Sequence, residues 1–329
     1  MAGFSQSGLR VRRSREDAGM DLDVLFLGTA GSAPTARRAL PATLVTRGGD
    51  RLLFDCGEGT QRQLLRSVGL LDIEHIFVTH LHADHYLGLP GMLKSFSLRG
   101  REAPLTIFGP AGLRALFRTL QPLVGRLSYT LELVELDPYT EVRRDGYAIT
   151  PFAVDHRVRA FGYALVEDER PGRFDESRAR ELGVTPGPDF GRLHRGEVVS
   201  GADGDVHPEQ VVGAPRRGRK LVLAGDCAPS ETTRVAAHEA DLLVHEATFT
   251  EEEQARAAET GHSTAHGAAA LAGEAGVGML ALTHVSPRYA GPELRDEARE
   301  VFAPTVVPHD FDRVELPFPE RGGPEHVRA

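Results

Sequence analysis

Short apolar runs recur along this chain, and most of them end in a glycine, an aspartate or a histidine. The first, 24–27, closes on Gly28 and a turn of small residues. ATLVTRGGDRLLFDCG then holds two apolar runs with 47–50 between them, which predicts a hairpin. GEGTQRQLLRSVGL changes to helical period, with Leu64, Leu65 and Val68 on one face. HIFVTH predicts a buried strand that delivers His80 to its carboxyl end, and LTIFGP, YTLELVEL and YAITPFAVDH predict further strands. In the second half KLVLAGD runs into Asp226, DLLVHEATF carries His245 and Glu246, and GMLALTH carries His284. An Ala-rich helix is predicted over 264–276. Strands alternating with helices predict an α/β fold, where functional residues gather beyond the carboxyl ends of strands.

One stretch breaks the pattern. Residues 167–197 are rich in Gly, Pro and Arg, with a single helical patch near 177–182. Such a segment inside a compact domain is either functional or disordered, and it reads as a protruding arm. The ends, 1–20 and 318–329, carry no periodic pattern and are expected to be disordered, leaving 21–317 as the folded domain.

Composition narrows the class. With 329 residues, 41% of them apolar and 26% charged, the chain can bury a core, which excludes wholesale disorder and disulfide mini-proteins. No run reaches the roughly 20 apolar residues of a membrane span, so no membrane association is expected. Cys56 and Cys227 lack C-x-x-C spacing, and the first twenty residues lack a secretory apolar core; both predict a cytoplasmic protein. The net charge of −9 offers no general basic surplus for nucleic acid, although a local site with cations remains compatible with it.

The densest chemistry is His80-Leu81-His82-Ala83-Asp84-His85. Three imidazoles and a carboxylate in one loop suit metal, and zinc suits this donor set. Four ligands cannot complete two sites, so partners are expected at other strand ends, where His156, Asp226 and His284 stand.

That combination resembles the metallo-β-lactamase superfamily and, within it, the tRNA 3′-processing endonucleases called ribonuclease Z. The resemblance rests on FLGTAGSAPT, LLFDCGEGTQRQL, HLHADH, His156, GVTPGPDFGRL, LAGD, HEATF, GHSTA and LTHVSPRY. It implies an αββα sandwich of two mixed sheets with outer helices, and an inserted arm at 167–197 that grips tRNA. It also implies two zinc ions per subunit, one held by His80, His82 and His156, the other by Asp84, His85 and His284, with Asp226 bridging. Asp84 would be general base toward metal-activated water, Glu246 would orient His262 toward the leaving oxygen, and Asp55 would steady the ligands. Arg37, Arg38, Gly187, Pro188, Arg288 and Tyr289 would contact precursor tRNA, and the family implies a homodimer with no other protein partner. Cys227 stands where the family more often has Thr. Two other readings stay open: a small-molecule hydrolase of the superfamily, acting on thioesters, sulfate esters or phosphodiesters, and a non-catalytic tRNA-binding module.

Overall fold

The computed structural model describes residues 21–70 and 73–329, so the tail expected over 1–20 lies outside the described residues. The chain divides into two compact units. One comprises the described residues up to Glu141 together with Thr150–Ala164 and Leu221–Ala329; the other comprises Val142–Ile149 and Leu165–Lys220.

The larger unit opens with six strands: β1 (Leu22–Gly28), β2 (Ala42–Arg47), β3 (Asp50–Phe54), β4 (His75–Phe77), β5 (Leu105–Gly109) and β6 (Leu131–Glu135). The hairpin predicted at 47–50 is present, with Arg47 opposite Asp50. The smaller unit contains β7 (Val142–Arg144), the start of β8 (Tyr147–Ala153), the end of β9 (Phe161–Glu167), β10 (Val199–Ser200) and β11 (Asp205–Val206). The chain then forms β12 (Lys220–Leu223), β13 (Leu242–Glu246), β14 (Met279–Thr283), β15 (Thr305–Val306), β16 (Arg313–Glu315) and β17 (Glu325–Val327).

Two mixed sheets result. One runs β17-β16-β1-β2-β3-β4-β5-β6, antiparallel as far as β3 and parallel from there to β6. The other, within the larger unit, runs β15-β14-β13-β12-β9-β8, parallel from β12 to β15.

Side chains alternate across each strand, and here both faces are covered. Leu53 of β3 and Ile76 of β4 pack in one core with Leu64, Met92 and Phe96 from the helices Thr60–Ser67 and Leu89–Leu98. Their neighbours Phe54 and Phe77 meet Tyr163 of the other sheet, with ring centroids 5.6 and 5.4 Å apart. Each such fully buried side chain contributes roughly 1.5–3 kcal/mol. A second core sets Val222, Leu243 and Leu280 against the helix Ala265–Ala275. Its run of alanines presents little side chain, so the helix can lie close to the sheet, and Thr264 caps it by accepting from the Gly267 N–H at 3.0 Å. The layers are therefore helix, sheet, sheet, helix, the predicted sandwich.

The end of the chain departs from expectation. Residues 318–329 were expected to be disordered, but β17 pairs antiparallel with β16. Asp312 fastens it by accepting from His326 Nε2 and the Ala329 N–H, both at 3.0 Å. Apolar periodicity cannot report a strand held by such polar bonds.

The smaller unit has its own core of Ala179, Val184, Leu193, Val199, Val206 and Val211. It includes the 167–197 segment but continues to Lys220, because β10 pairs with β11 and Arg219 forms a buried two-pronged pair with Glu167, both contacts at 2.7 Å. Among the described residues no helix is long and apolar enough to cross a membrane.

Candidate metal centre

The carboxyl ends of β3, β4, β8, β12, β13 and β14 each lead into a polar residue of one cluster. Asp55 follows β3 with φ at +58°, and His284 follows β14 with φ at +56°. A left-handed conformation at a residue with a side chain is costly and persists only where its surroundings over-determine it. Gly225 performs the same sharp turn without strain, at φ +67°, and presents Asp226.

Three groups of side chains could hold a metal ion, the ligand atoms of each lying within 4.8 Å of one another: His80, His82 and His156; Asp84, His85, Asp226 and His284; and Glu246, His262 and His284. The seven residues expected from the sequence to hold metal fall into the first two groups, with Asp226, expected to bridge, grouped with Asp84, His85 and His284. In the first, His80 Nε2 and His82 Nδ1 are 2.9 Å apart, with His156 Nε2 3.4 Å from the latter. In the second, Asp226 Oδ2 lies 3.3 Å from His85 Nε2 and 3.1 Å from His284 Nε2, while Asp84 Oδ2 is 3.6 Å from each.

The donor set fits a metal on its own geometry. His85 Nε2 and His284 Nε2 are buried without a hydrogen-bond partner, and both face carboxylate oxygens. Burying such atoms is costly unless something else completes their coordination. Burial and the nearby His85 hold His80 well below the ordinary imidazole range, which keeps it neutral and able to coordinate. Burial opposes ionisation of Asp226, yet His284 and His85 outweigh it and keep that carboxyl well below its usual range.

Surrounding groups fix the ligands. Asp55 accepts from the Thr79 N–H at 2.8 Å and lies 2.7 Å from His85 Nδ1, so it links the β4 loop to the His85 ring. His156 Nδ1 is 2.8 Å from the Gly261 carbonyl. Glu246 Oε1 sits 2.6 Å from His262 Nδ1, and its other oxygen accepts from the Thr248 hydroxyl at 2.7 Å. That same hydroxyl is 2.8 Å from His284 Nδ1. The His262 ring lies 5.3 Å from both the His156 and His284 rings.

The matched family model over residues 38–231 is the Metallo-beta-lactamase superfamily. A protein of Halorubrum lacusprofundi named Ribonuclease Z is 47% identical over 92% of this chain and 99% of its own. One of that name from Myxococcus xanthus is 48% identical over 90% and 98%. The chain belongs to the ribonuclease Z family. Consistently, the crystal structure of human tRNase Z, short form, superposes with a TM-score of 0.66 at 28% identity, covering 90% of this chain and 99% of that one. Membership of this superfamily, together with the clustered histidines and aspartates, makes a metal the cofactor of this ribonuclease Z family member.

The residues expected to contact RNA are placed less uniformly. Arg37 is exposed, but Arg38 is 6% exposed and donates to Thr29 Oγ1 at 2.6 Å and to the Pro308 carbonyl at 2.7 Å. Arg38 is thus an enclosed clamp on the β1 turn, whereas it was expected to contact precursor tRNA. A basic pair in sequence gave no sign that only one member would be enclosed. Arg288 Nη1 lies 2.6 Å from Glu253 Oε1, and the Tyr289 hydroxyl bonds the same carboxylate. Gly187 and Pro188 sit in the smaller unit, at the cap and first position of the helix Pro188–His194.

Sequence reasoning assigned no role to Ser32, Thr79, Thr248 or Glu253. The Ser32 N–H donates to Asp84 Oδ2 at 3.1 Å. Hydroxyl and backbone partners of this kind carry no spacing signature, although Thr248 lies within the HEATF motif that was noticed. His245, buried with Nδ1 2.8 Å from the Glu246 carbonyl, and the buried thiols Cys56 and Cys227 stand outside the ligand groups.

Proposed function

We propose that this chain is a metal-dependent endoribonuclease that removes 3′ trailers from precursor tRNA. The observation that carries this reading is the Glu246–His262 pair beside the ligand groups, because hydrolysis of a phosphodiester needs a proton donor as well as activated water. Two zinc ions per subunit suit the two donor groups: His80, His82 and His156 would hold one, and Asp84, His85 and His284 the other, with Asp226 as a further ligand. Bound there, such ions supply Lewis acidity, which lowers the pKa of water and draws charge from the phosphate oxygens.

The chain's own groups do the rest. Asp84, oriented by the Ser32 N–H, accepts the proton of the attacking water. The bond between phosphorus and the 3′ oxygen breaks, and His262 donates a proton to that oxygen. The tRNA keeps a 3′-hydroxyl and the trailer leaves with a 5′-phosphate. Glu246 supports the charged imidazole: burial opposes it, but the hydrogen bond and charge of Glu246 leave His262 raised overall. Asp55 steadies His85. Arg37, Arg288 and Tyr289 serve the RNA near the site, and Gly187 and Pro188 serve it in the smaller unit. A cytoplasmic homodimer follows from the family reading.

The test is a 5′-labelled precursor tRNA carrying a 3′ trailer, incubated with the purified protein with and without a chelator. A single chelator-sensitive cut after the discriminator base is expected. An intact precursor beside brisk turnover of a small thioester or sulfate ester would overturn the substrate while leaving the metal site standing.

A further inference from the structure

A second polar recess lies in the larger unit, formed by residues outside the metal centre. It is a cavity of about 270 Å3 lined by Arg295, Arg299, Arg328, His309 and His326, with Asp312 the one acid on its wall among the described residues. Three guanidinium groups on one wall give the recess a positive field that favours an anion.

The negative charge already present is largely committed elsewhere. Asp312 accepts from the His309 N–H, the Ala329 N–H and His326 Nε2, all at 3.0 Å. Arg299 uses only its Nε, on the Thr305 carbonyl at 2.8 Å, which leaves its terminal nitrogens available. Arg295 is engaged with Asp296, a residue that does not line the recess.

Two further observations point the same way. Gly291, which also lines the cavity, has φ +96° and sits so close to Arg38 that a Cβ there would fall 2.9 Å from Arg38 Nη2. That nitrogen is buried and has no hydrogen-bond partner, so an unsatisfied cationic donor lies directly behind the wall. Gly291 and Pro292 also begin the ten-residue helix Pro292–Val301, whose amino end adds its dipole to the positive field.

We infer that this recess is an anion site for the phosphate group of a small molecule. Planar guanidinium groups engage phosphate two-pronged, and a cavity of this size admits a phosphate with little else attached. A recess of about 270 Å3 suits a free small anion better than the continuous backbone of RNA.

Titration of the metal-loaded protein with inorganic phosphate, at fixed ionic strength, tests the inference by calorimetry. Wild type and an Arg299→Ala/Arg328→Ala double variant are compared, since both side chains are exposed and their loss leaves the core intact. The double variant is expected to lose one of the wild type's phosphate equivalents, or to bind it at least about tenfold more weakly. The single Arg299→Gln variant should fall between the two. Identical isotherms for wild type and double variant would overturn the site. In the same proteins, precursor tRNA cleavage is expected to be unchanged within about twofold. A rise in KM of fivefold or more with kcat unchanged would overturn the small-molecule assignment by giving the recess to RNA.

Discussion

Glu246 and His262 form an enclosed carboxylate–imidazole pair, Oε1 to Nδ1 at 2.6 Å, with the glutamate side chain 1% exposed and the histidine 13%. Through Thr248 the same carboxylate reaches His284, so one buried charge touches both the proposed proton donor and a proposed metal ligand. The proposed proton donor and the proposed ligand are mechanically joined.

This arrangement makes a pH prediction of definite sign. His262 is held above the ordinary imidazole range by Glu246, so its protonated, donating form survives to higher pH. Glu246→Gln removes that support, and the alkaline limb of the kcat profile should move to lower pH. His262→Ala should lower kcat by about 10²–10⁴. An alkaline limb that stays in place in Glu246→Gln would rule out this pair as the acid.

Asp55 makes no direct approach to the first ligand group, yet its bonds to Thr79 and His85 hold the loop from which His80, His82, Asp84 and His85 project. Asp55→Ala should weaken metal affinity about 10–100-fold, read by competition with a chromophoric chelator. Unchanged affinity would show that the backbone alone sets the loop.

In the smaller unit, two ion pairs contrast in worth. Glu167 and Arg219 side chains are 3% and 2% exposed, whereas Arg178 and Glu181, 3.0 Å apart, are half or more exposed. Breaking the first by Glu167→Gln leaves a buried guanidinium poorly matched and should cost about 3–5 kcal/mol. Arg178→Ala should change little, because water screens that pair. Amide hydrogen exchange over Leu165–Lys220 should accelerate strongly in the first variant and hardly at all in the second.

The chain's one-dimensional pattern determined much about this protein. Continuous apolar runs mark β3 and β4 as covered on both faces, because a strand's side chains point to opposite faces by geometry alone. The hexapeptide 80–85 declared a metal site because ligands adjacent in sequence must be adjacent in space. The Thr264 cap and the alanines after it likewise act locally, and the helix appears where they stand.

Tertiary structure decided whatever depends on distant partners. That His156, Asp226 and His284 join the hexapeptide follows from how the strands are ordered in two sheets. Arg37 and Arg38 are the same residue type, and contacts with Thr29 and with Pro308, 270 residues away, enclose the second. The end at 318–329 looked unpatterned, but Glu325–Val327 within it pairs as a strand, fastened by the hydrogen bonds of Asp312. The basic recess is likewise assembled from a helix, a loop and the final strand's edge, which no local window joins. Apolar burial leaves a period in the sequence, whereas a polar contact needs only one partner at any separation, so it leaves none.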